Sequence, residues 1–462
     1  MIGSRLRLGT SAIIGALCAS VLGFAGSGVV NVAAAGVGPQ IVVGHKIQSP
    51  AGPPTSAQCI AIDGIGCYSP QDIRNQYDYN PAYTRGDIGS GQTIVIFDSF
   101  GSPTIRQDLT TFDSSYDISP PPSFQIYEPE GTVTYAYQNA SPSAIAHDKN
   151  LQTEISWGYE TTLDVEWAHA MAPGANIALV ATPNAETQGV QGLQNLQNAQ
   201  RWALDNHIGT IWSNSWASTE QAFHSNAVVE RLNQFYATAA AEGVSAFFAT
   251  GDTGVANTDK QGTLYPYPTV NFPSSSPDVV AVGGTEIPVP QTALTSYNPE
   301  TVWNDCCGSG GGGYSSIFAE PAFQSAGAIP DSNAMRGLPD VSYNAALISS
   351  ILIYESFDPT APPSWVPIGG TSAAAPQWAA IDAIANQADG ALGLLTPRLY
   401  QIYQDQPAYA SAFHDITSGN TSWNGVSGYP ASPGWDPASG LGTPDVANLV
   451  TALAATSPGT AP

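Results

Sequence analysis

The sequence predicts an α/β fold with a mostly parallel central sheet flanked by helices. Three observations predict it. Apolar, β-branched runs occur at 92–97, 176–182, 209–213, 244–250 and 279–283. Helical segments at 157–171, 187–206 and 225–242 separate them. The runs are continuously apolar, as strands covered on both faces are, and strands alternating with helices imply parallel pairing. No internal repeat or linker divides the chain, so one large domain over 69–455 is expected.

The N-terminal stretch has Arg5 and Arg7 before an apolar core at 12–24, then the small residues Ala33-Ala34-Ala35. That is the pattern of a signal peptide over 1–35, and it places the protein outside the cell. The apolar run is broken by Gly and Ser and is short for a span, which needs roughly 20 residues. A Pro/Gly/Ala-rich leader, 36–68, follows, and a short tail, 456–462, closes the chain. Five cysteines occur: Cys18 in the leader sequence, then Cys59, Cys67, Cys306 and Cys307. A bridge from Cys59 to Cys67 closes a short loop and is the first choice. Adjacent Cys306 and Cys307 would strain the peptide between them, so their state stays open, and the spacings do not resemble a zinc site.

Composition narrows the function. The chain carries 12 Lys+Arg against 37 Asp+Glu, a formal net charge of −25, yet only 11% of residues are charged and 43% are hydrophobic. Nucleic-acid binding, which needs a basic footprint, is excluded. A polar but sparsely charged surface loses little when carboxylates are protonated, which suits an acidic environment.

Three segments carry chemistry. In the first, Glu160 and Asp164 are four apart and stack on one helical face, shared with Trp167 and Met171. Glu166 points elsewhere. The pair reads either as solvated acids or as two carboxyls sharing a proton in a partly dry site. In the second, Gly251-Asp252-Thr-Gly254 ends an apolar strand, either as a turn or as part of a crevice at the sheet's carboxyl edge. In the third, Gly369-Gly370-Thr371-Ser372 opens an Ala-rich helix. Ser372 is there either a cap or a nucleophile beside free helix N–H groups. Histidine offers no rival set. Six occur, at 45, 147, 169, 207, 224 and 414, with no His-Glu-x-x-His, and His169 reads as structural.

Taken in order, Glu-x-x-x-Asp, Gly-Asp-x-Gly and Gly-Thr-Ser-x-x-x-Pro376 resemble the sedolisin family of serine-carboxyl peptidases, which have a subtilisin-like three-layer fold. The segments at 213–217, 280–285, 302–304, 311–315, 339–342 and 413–417 agree with it. The resemblance implies an endopeptidase acting at acid pH through an acyl-enzyme. Ser372 would be the nucleophile, Glu160 the general base and acid, Asp164 its orienting partner, and Asp252 a protonated donor in the oxyanion hole. Asp98, ending the first strand, would extend the network through Trp216.

Physical chemistry agrees with the pH range. A Glu base, unperturbed near ~4.3, works best in acid, and Asp252 can donate to an oxyanion only while it holds its proton. Asp415-Ile416 and Ser432-Pro-Gly434-Trp-Asp436 combine carboxylates with glycine-rich backbone. Alone they read as turns, but the resemblance implies one structural Ca2+ on the side chains of Asp415 and Asp436 and the carbonyls of Ile416, Ser432 and Gly434.

Relatives of this kind usually carry a long folded prosegment, for which 36–68 is too short. Protein or peptide substrates are expected, bound by strand addition to 215–217 and 311–313, with no nucleic-acid or membrane partner, by a monomer. Two alternatives remain. One is an exported non-catalytic binding protein that kept the fold. The other is a glycosidase, disfavoured because acids four apart on one helix cannot readily flank a sugar bond.

Overall fold

In the computed structural model, residues 41–456 are described, apart from 50, 187, 188, 289, 290, 328 and 331. The stretch read as a signal peptide, 1–35, the start of the expected leader and the tail from 457 lie outside the described residues. The central sheet has eight strands. In spatial order, seven are Thr301–Val302, Val280–Glu286, Ser245–Ala249, Ile211–Asn214, Thr93–Ser99, Asn176–Thr182 and Phe124–Tyr127, and Val341–Asn344 also pairs with Val280–Glu286. All pairings are parallel except that of Thr301–Val302 with Val280–Glu286.

The two-sided apolar reading holds residue by residue. Within Thr93–Ser99, Ile94 and Ile96 join one core with Leu163, Trp167 and Trp378. Val95 and Phe97 join another with Leu193, Leu196, Leu232 and Phe235. Successive strand side chains point to opposite faces, so a strand buried on both must be apolar throughout. Helices Lys149–Met171 and Thr371–Asp389 cover the first face, and Val190–Asp205 and Asn226–Ala241 the second.

A second sheet orders its strands Val42–Val43, Ser364–Gly369, Ser349–Glu355 and Gly66–Tyr68. Val42–Val43 runs antiparallel to Ser364–Gly369, with Val42 opposite Gly369. Part of the segment read as a leader is thus woven into this sheet. The Cys59–Cys67 bridge is present and ties the helix Ser56–Asp63 to the strand Gly66–Tyr68. Among the described residues no helix is long and apolar enough to cross a membrane.

Parallel pairing sets where chemistry can sit. Thr93–Ser99, Ile211–Asn214 and Ser245–Ala249 are neighbours, so their carboxyl ends open on one crevice. Asp98, Ser215 and Asp252 stand at or just beyond those ends. The two helices on the first face pack against each other beneath it, which brings Glu160 and Ser372 to the same place.

Candidate active site

The helix Lys149–Met171 is buried along 155–171, so both candidate acids are dry. Burial first, then the negative neighbours Asp164, Asp98 and Asp252, push the Glu160 carboxyl well above its ordinary range. Asp164 is likewise raised by burial and by Asp98. Among the described residues no Lys, Arg or His forms an ion pair with Asp98, Glu160 or Asp164. Hydroxyls take that place. Ser215 Oγ donates to Asp164 Oδ1 at 2.9 Å. The Ser372 hydroxyl bears on Glu160 and favours its ionised form, although neither Glu160 oxygen makes a hydrogen bond of full geometry. Catalytic contacts are commonly loose before substrate arrives.

Ser372 is the second residue of the helix Thr371–Asp389. Gly370 precedes it at φ 125°, a conformation that side chains rarely adopt, and a Cβ on Gly369 would lie 2.6 Å from the carbonyl oxygen of Ala345. The glycine pair therefore lets the chain turn from strand into helix against a packed backbone. Pro376 lacks the N–H that would bond the Ser372 carbonyl. Ser215 Oγ lies 3.4 Å from that carbonyl instead.

Asp252 is buried and held by the residue before the serine. Its Oδ1 accepts from Thr371 N at 2.8 Å and from Thr371 Oγ1 at 2.7 Å, while Gly251 N donates to Thr371 Oγ1 at 3.0 Å. Burial raises its pKa to about 7 against the lowering effect of Thr371. Whenever the acid is neutral, Oδ1, which accepts both hydrogen bonds, would be its carbonyl oxygen and Oδ2 would carry the proton. Thr371 carries no role in the sequence reading beyond its place in the Gly-Thr-Ser motif, because its partner lies 119 residues away and no local pattern marks the contact.

Asp98 is buried on the same cluster and raised to about 7 by burial, with Thr161 opposing. The expected link through Trp216 is not made in that form. Trp216 Nε1 donates to the Phe97 carbonyl at 2.9 Å. The indole thus fixes the strand end that carries Asp98 rather than the carboxyl itself. His169 is buried, with Nε2 3.0 Å from the Ser119 carbonyl, and is structural. Glu166 faces the second sheet, where Tyr354 N donates to its Oε2 at 3.0 Å.

The strand-addition edges are partly in use. The carboxyl of buried Glu186, which sequence reasoning missed, accepts from Ala217 N, and Gly311 N donates to the Gly251 carbonyl at 2.8 Å. Sequence gave no cue to Glu186, a lone acid in a loop.

Away from the cleft, the loops carrying Asp415 and Asp436 meet. Gly434 N donates to Asp415 Oδ2 at 3.0 Å and Ser432 N to Asp436 Oδ2 at 2.9 Å. Ser439 Oγ lies 3.1 Å from Asp436 Oδ2 and 3.5 Å from the Ile416 carbonyl oxygen. Burial raises Asp436 to about 6. Hydrogen bonds thus bring the loops carrying the five residues together, with Ser432 and Gly434 meeting the carboxylates through their N–H groups.

The Subtilase family profile matches residues 131–402. Kumamolisin from Bacillus sp. (strain MN-32) is 32% identical over 397 residues, which cover 84% of this chain and 63% of that protein. Sedolisin from Pseudomonas sp. (strain 101) is 31% identical over 54% of this chain and 41% of its own length. Tripeptidyl-peptidase 1 of Rattus norvegicus is 28% identical over 83% and 64%. The chain thus spans less than two thirds of each of these relatives. Among solved structures, Pseudomonas sedolisin, a serine-carboxyl proteinase complexed with two molecules of pseudo-iodotyrostatin, superposes with a TM-score of 0.68. It is 27% identical and covers 84% of this chain and 98% of that one.

Proposed function

The chain belongs to the subtilase family, on its sedolisin branch of serine-carboxyl peptidases, and from that premise we propose that it is an exported endopeptidase working in acid. One observation carries the proposal: Ser372, at a helix start, faces buried Glu160, while Thr371 beside it grips the buried acid Asp252. Ser372 attacks the peptide carbonyl as Glu160 takes its proton, and Glu160 then returns the proton to the leaving amine. Asp164, itself held by Ser215, orients Glu160. Protonated Asp252 donates to the oxyanion, a contact typically worth about 10²–10³ in rate. Asp98 and Trp216 support the cluster from the strand beneath it.

The reading extends to the rest of the chain. Residues 1–35 are an export signal, 36–68 lead into a peptidase domain over 69–455, 456–462 form a tail, and the enzyme acts as a monomer on protein or peptide substrates. Asp415 and Asp436 side chains with the carbonyls of Ile416, Ser432 and Gly434 would hold one Ca2+. When bound, the ion supplies positive charge that lets the buried Asp436 carboxylate and the exposed Asp415 carboxylate lie together and pins the loops beside them.

The test is hydrolysis of a denatured protein near pH 4 by wild type and by Ser372→Ala. Loss in the variant supports the proposal. Equal hydrolysis by both overturns it, and none by either returns the reading to a non-catalytic binding protein.

A further inference from the structure

Beside the oxyanion acid lies a tight turn, 304–309, that the mechanism above does not use. Asn304 and Ser309 bridge its base, and Asp305 closes it, its Oδ1 accepting from Cys307 N at 2.8 Å and Gly308 N at 3.1 Å. That base holds the catalytic segment directly. Ser309 N donates to the Asp252 carbonyl at 3.0 Å, and Gly254 N donates to the Ser309 carbonyl at 2.8 Å. There is no slack below the tip. A Cβ on Gly308 would fall 2.2 Å from the Trp303 ring and 3.1 Å from the Asp252 carbonyl oxygen. At the tip sit exposed Cys306 and half-buried Cys307, their Sγ atoms 2.6 Å apart.

We propose that Cys306 and Cys307 are joined as a vicinal disulfide, and that this closed ring braces the turn that positions Asp252. The competing use of these groups is a metal site, since donor atoms of Asp305, Cys306 and Cys307 all lie within 4.8 Å of one another. Two thiolates sharing a tetrahedral zinc at ~2.3 Å would sit about 3.8 Å apart. The observed 2.6 Å approaches the S–S bond of ~2.0 Å instead.

The chemistry balances with a low-molecular-weight disulfide as oxidant. The Cys306 thiolate attacks one of its sulfurs, forming a mixed disulfide and releasing one thiol. Cys307 then attacks the Cys306 sulfur and releases the second thiol. The protein loses two hydrogens and two electrons, and the small disulfide gains them. Cys306 is the attacker because it is exposed and because hydrogen bonding with Cys307 lowers its pKa, against burial and the neighbouring acids Asp305 and Glu286. Exchange needs a thiolate, so a bond formed near neutral pH during export is locked in once the medium turns acid. The bond itself stands apart from the peptidase reading, while the bracing of Asp252 rests on it.

The experiment uses full-length protein from an exporting host, alkylated and peptide-mapped before and after a phosphine reductant near pH 4, with turnover measured in parallel. The expected result is a peptide spanning 304–311 that is unalkylated and lighter by two hydrogens until reduced. Turnover should drop roughly tenfold on reduction, as expected for a loosened oxyanion donor. A Cys306→Ser/Cys307→Ser double variant should already show the lower rate and not respond further. It keeps Cys59–Cys67, so any response it does show belongs to that bridge. Free alkylation of both cysteines without reductant, or zinc in the native mass, overturns the bond. Equal turnover in oxidised and reduced protein overturns the bracing. A protein that cleaves nothing in either form sinks the peptidase reading, and the peptide mass still decides the bond.

Discussion

Asp340 and Asp252 show two ways of burying a carboxyl group in one molecule. Both are buried, and both accept a backbone N–H at 2.8 Å, from Ala281 and Thr371 respectively. They differ in what else touches them. Arg336 Nη2 lies 2.5 Å from Asp340 Oδ2, so the opposite charge is supplied on the spot. Asp252 has the Thr371 hydroxyl at 2.7 Å, which brings no charge. The same contrast separates Asp358, which Lys46 pulls below its ordinary value against the effect of burial, from Asp98, raised by burial to about 7. Glu355 shares that lysine at 2.9 Å yet rises to about 7, since its deeper burial outweighs the pairing. A cation fixes a carboxylate for structure; hydroxyls and other acids keep a carboxyl able to hold and hand over a proton.

That contrast can be attacked in order of expected effect. Glu160→Gln removes the base while keeping its shape and should lower kcat about 10⁴-fold or more in a steady-state peptide assay. A decrease under tenfold would show that the hydroxyl-held acids are not the catalytic ones. Arg336→Met leaves Asp340 buried without its partner charge and should destabilise the fold by about 3–5 kcal/mol in denaturant titration. A small effect would erase the distinction between the two modes. Asp252→Ala should lower kcat about 10²–10³-fold. Asp252→Asn should lower it less and extend the alkaline limb of the pH–rate profile past pH 7, where the wild type loses its donor proton. An unmoved limb would take Asp252 out of the oxyanion hole.

The fold should share this pH response. Asp98 and Asp252 titrate near 7 when folded, against ~3.9 unfolded, so between those values the folded chain binds more protons. Their contribution is present below about pH 4 and is lost as pH rises through 7. Melting temperature should therefore fall across that window, and a flat profile would contradict the assignment. The smallest effect belongs to the calcium loops, where excess chelator at constant pH should lower the melting temperature by a few degrees through loss of the ligand's linkage.

What could be read in the sequence follows from how local the signal was. The five apolar runs name the central strands because burial on both faces leaves no polar alternation to confuse them. Glu160, Asp164, Asp252 and Ser372 stood out because each sits in a short glycine- or helix-defined context. The roles of Thr371 and Ser215 did not show in the motifs that contain them, because their work is tertiary: one holds an acid 119 residues away and the other one 51 residues away. The strands of the second sheet were missed for a related reason. Val42–Val43 is only two residues long and has meaning only against Ser364–Gly369, more than three hundred positions further on.

That short strand also constrains how the protein can be trimmed. Its partner ends one residue before the glycine that launches the nucleophile helix. A recombinant version begun at residue 69 would discard both outer strands of that sheet and the whole Cys59–Cys67 bridge together. Expression boundaries, affinity handles and protease sites therefore belong upstream of residue 41, where they leave the serine's supporting layer whole.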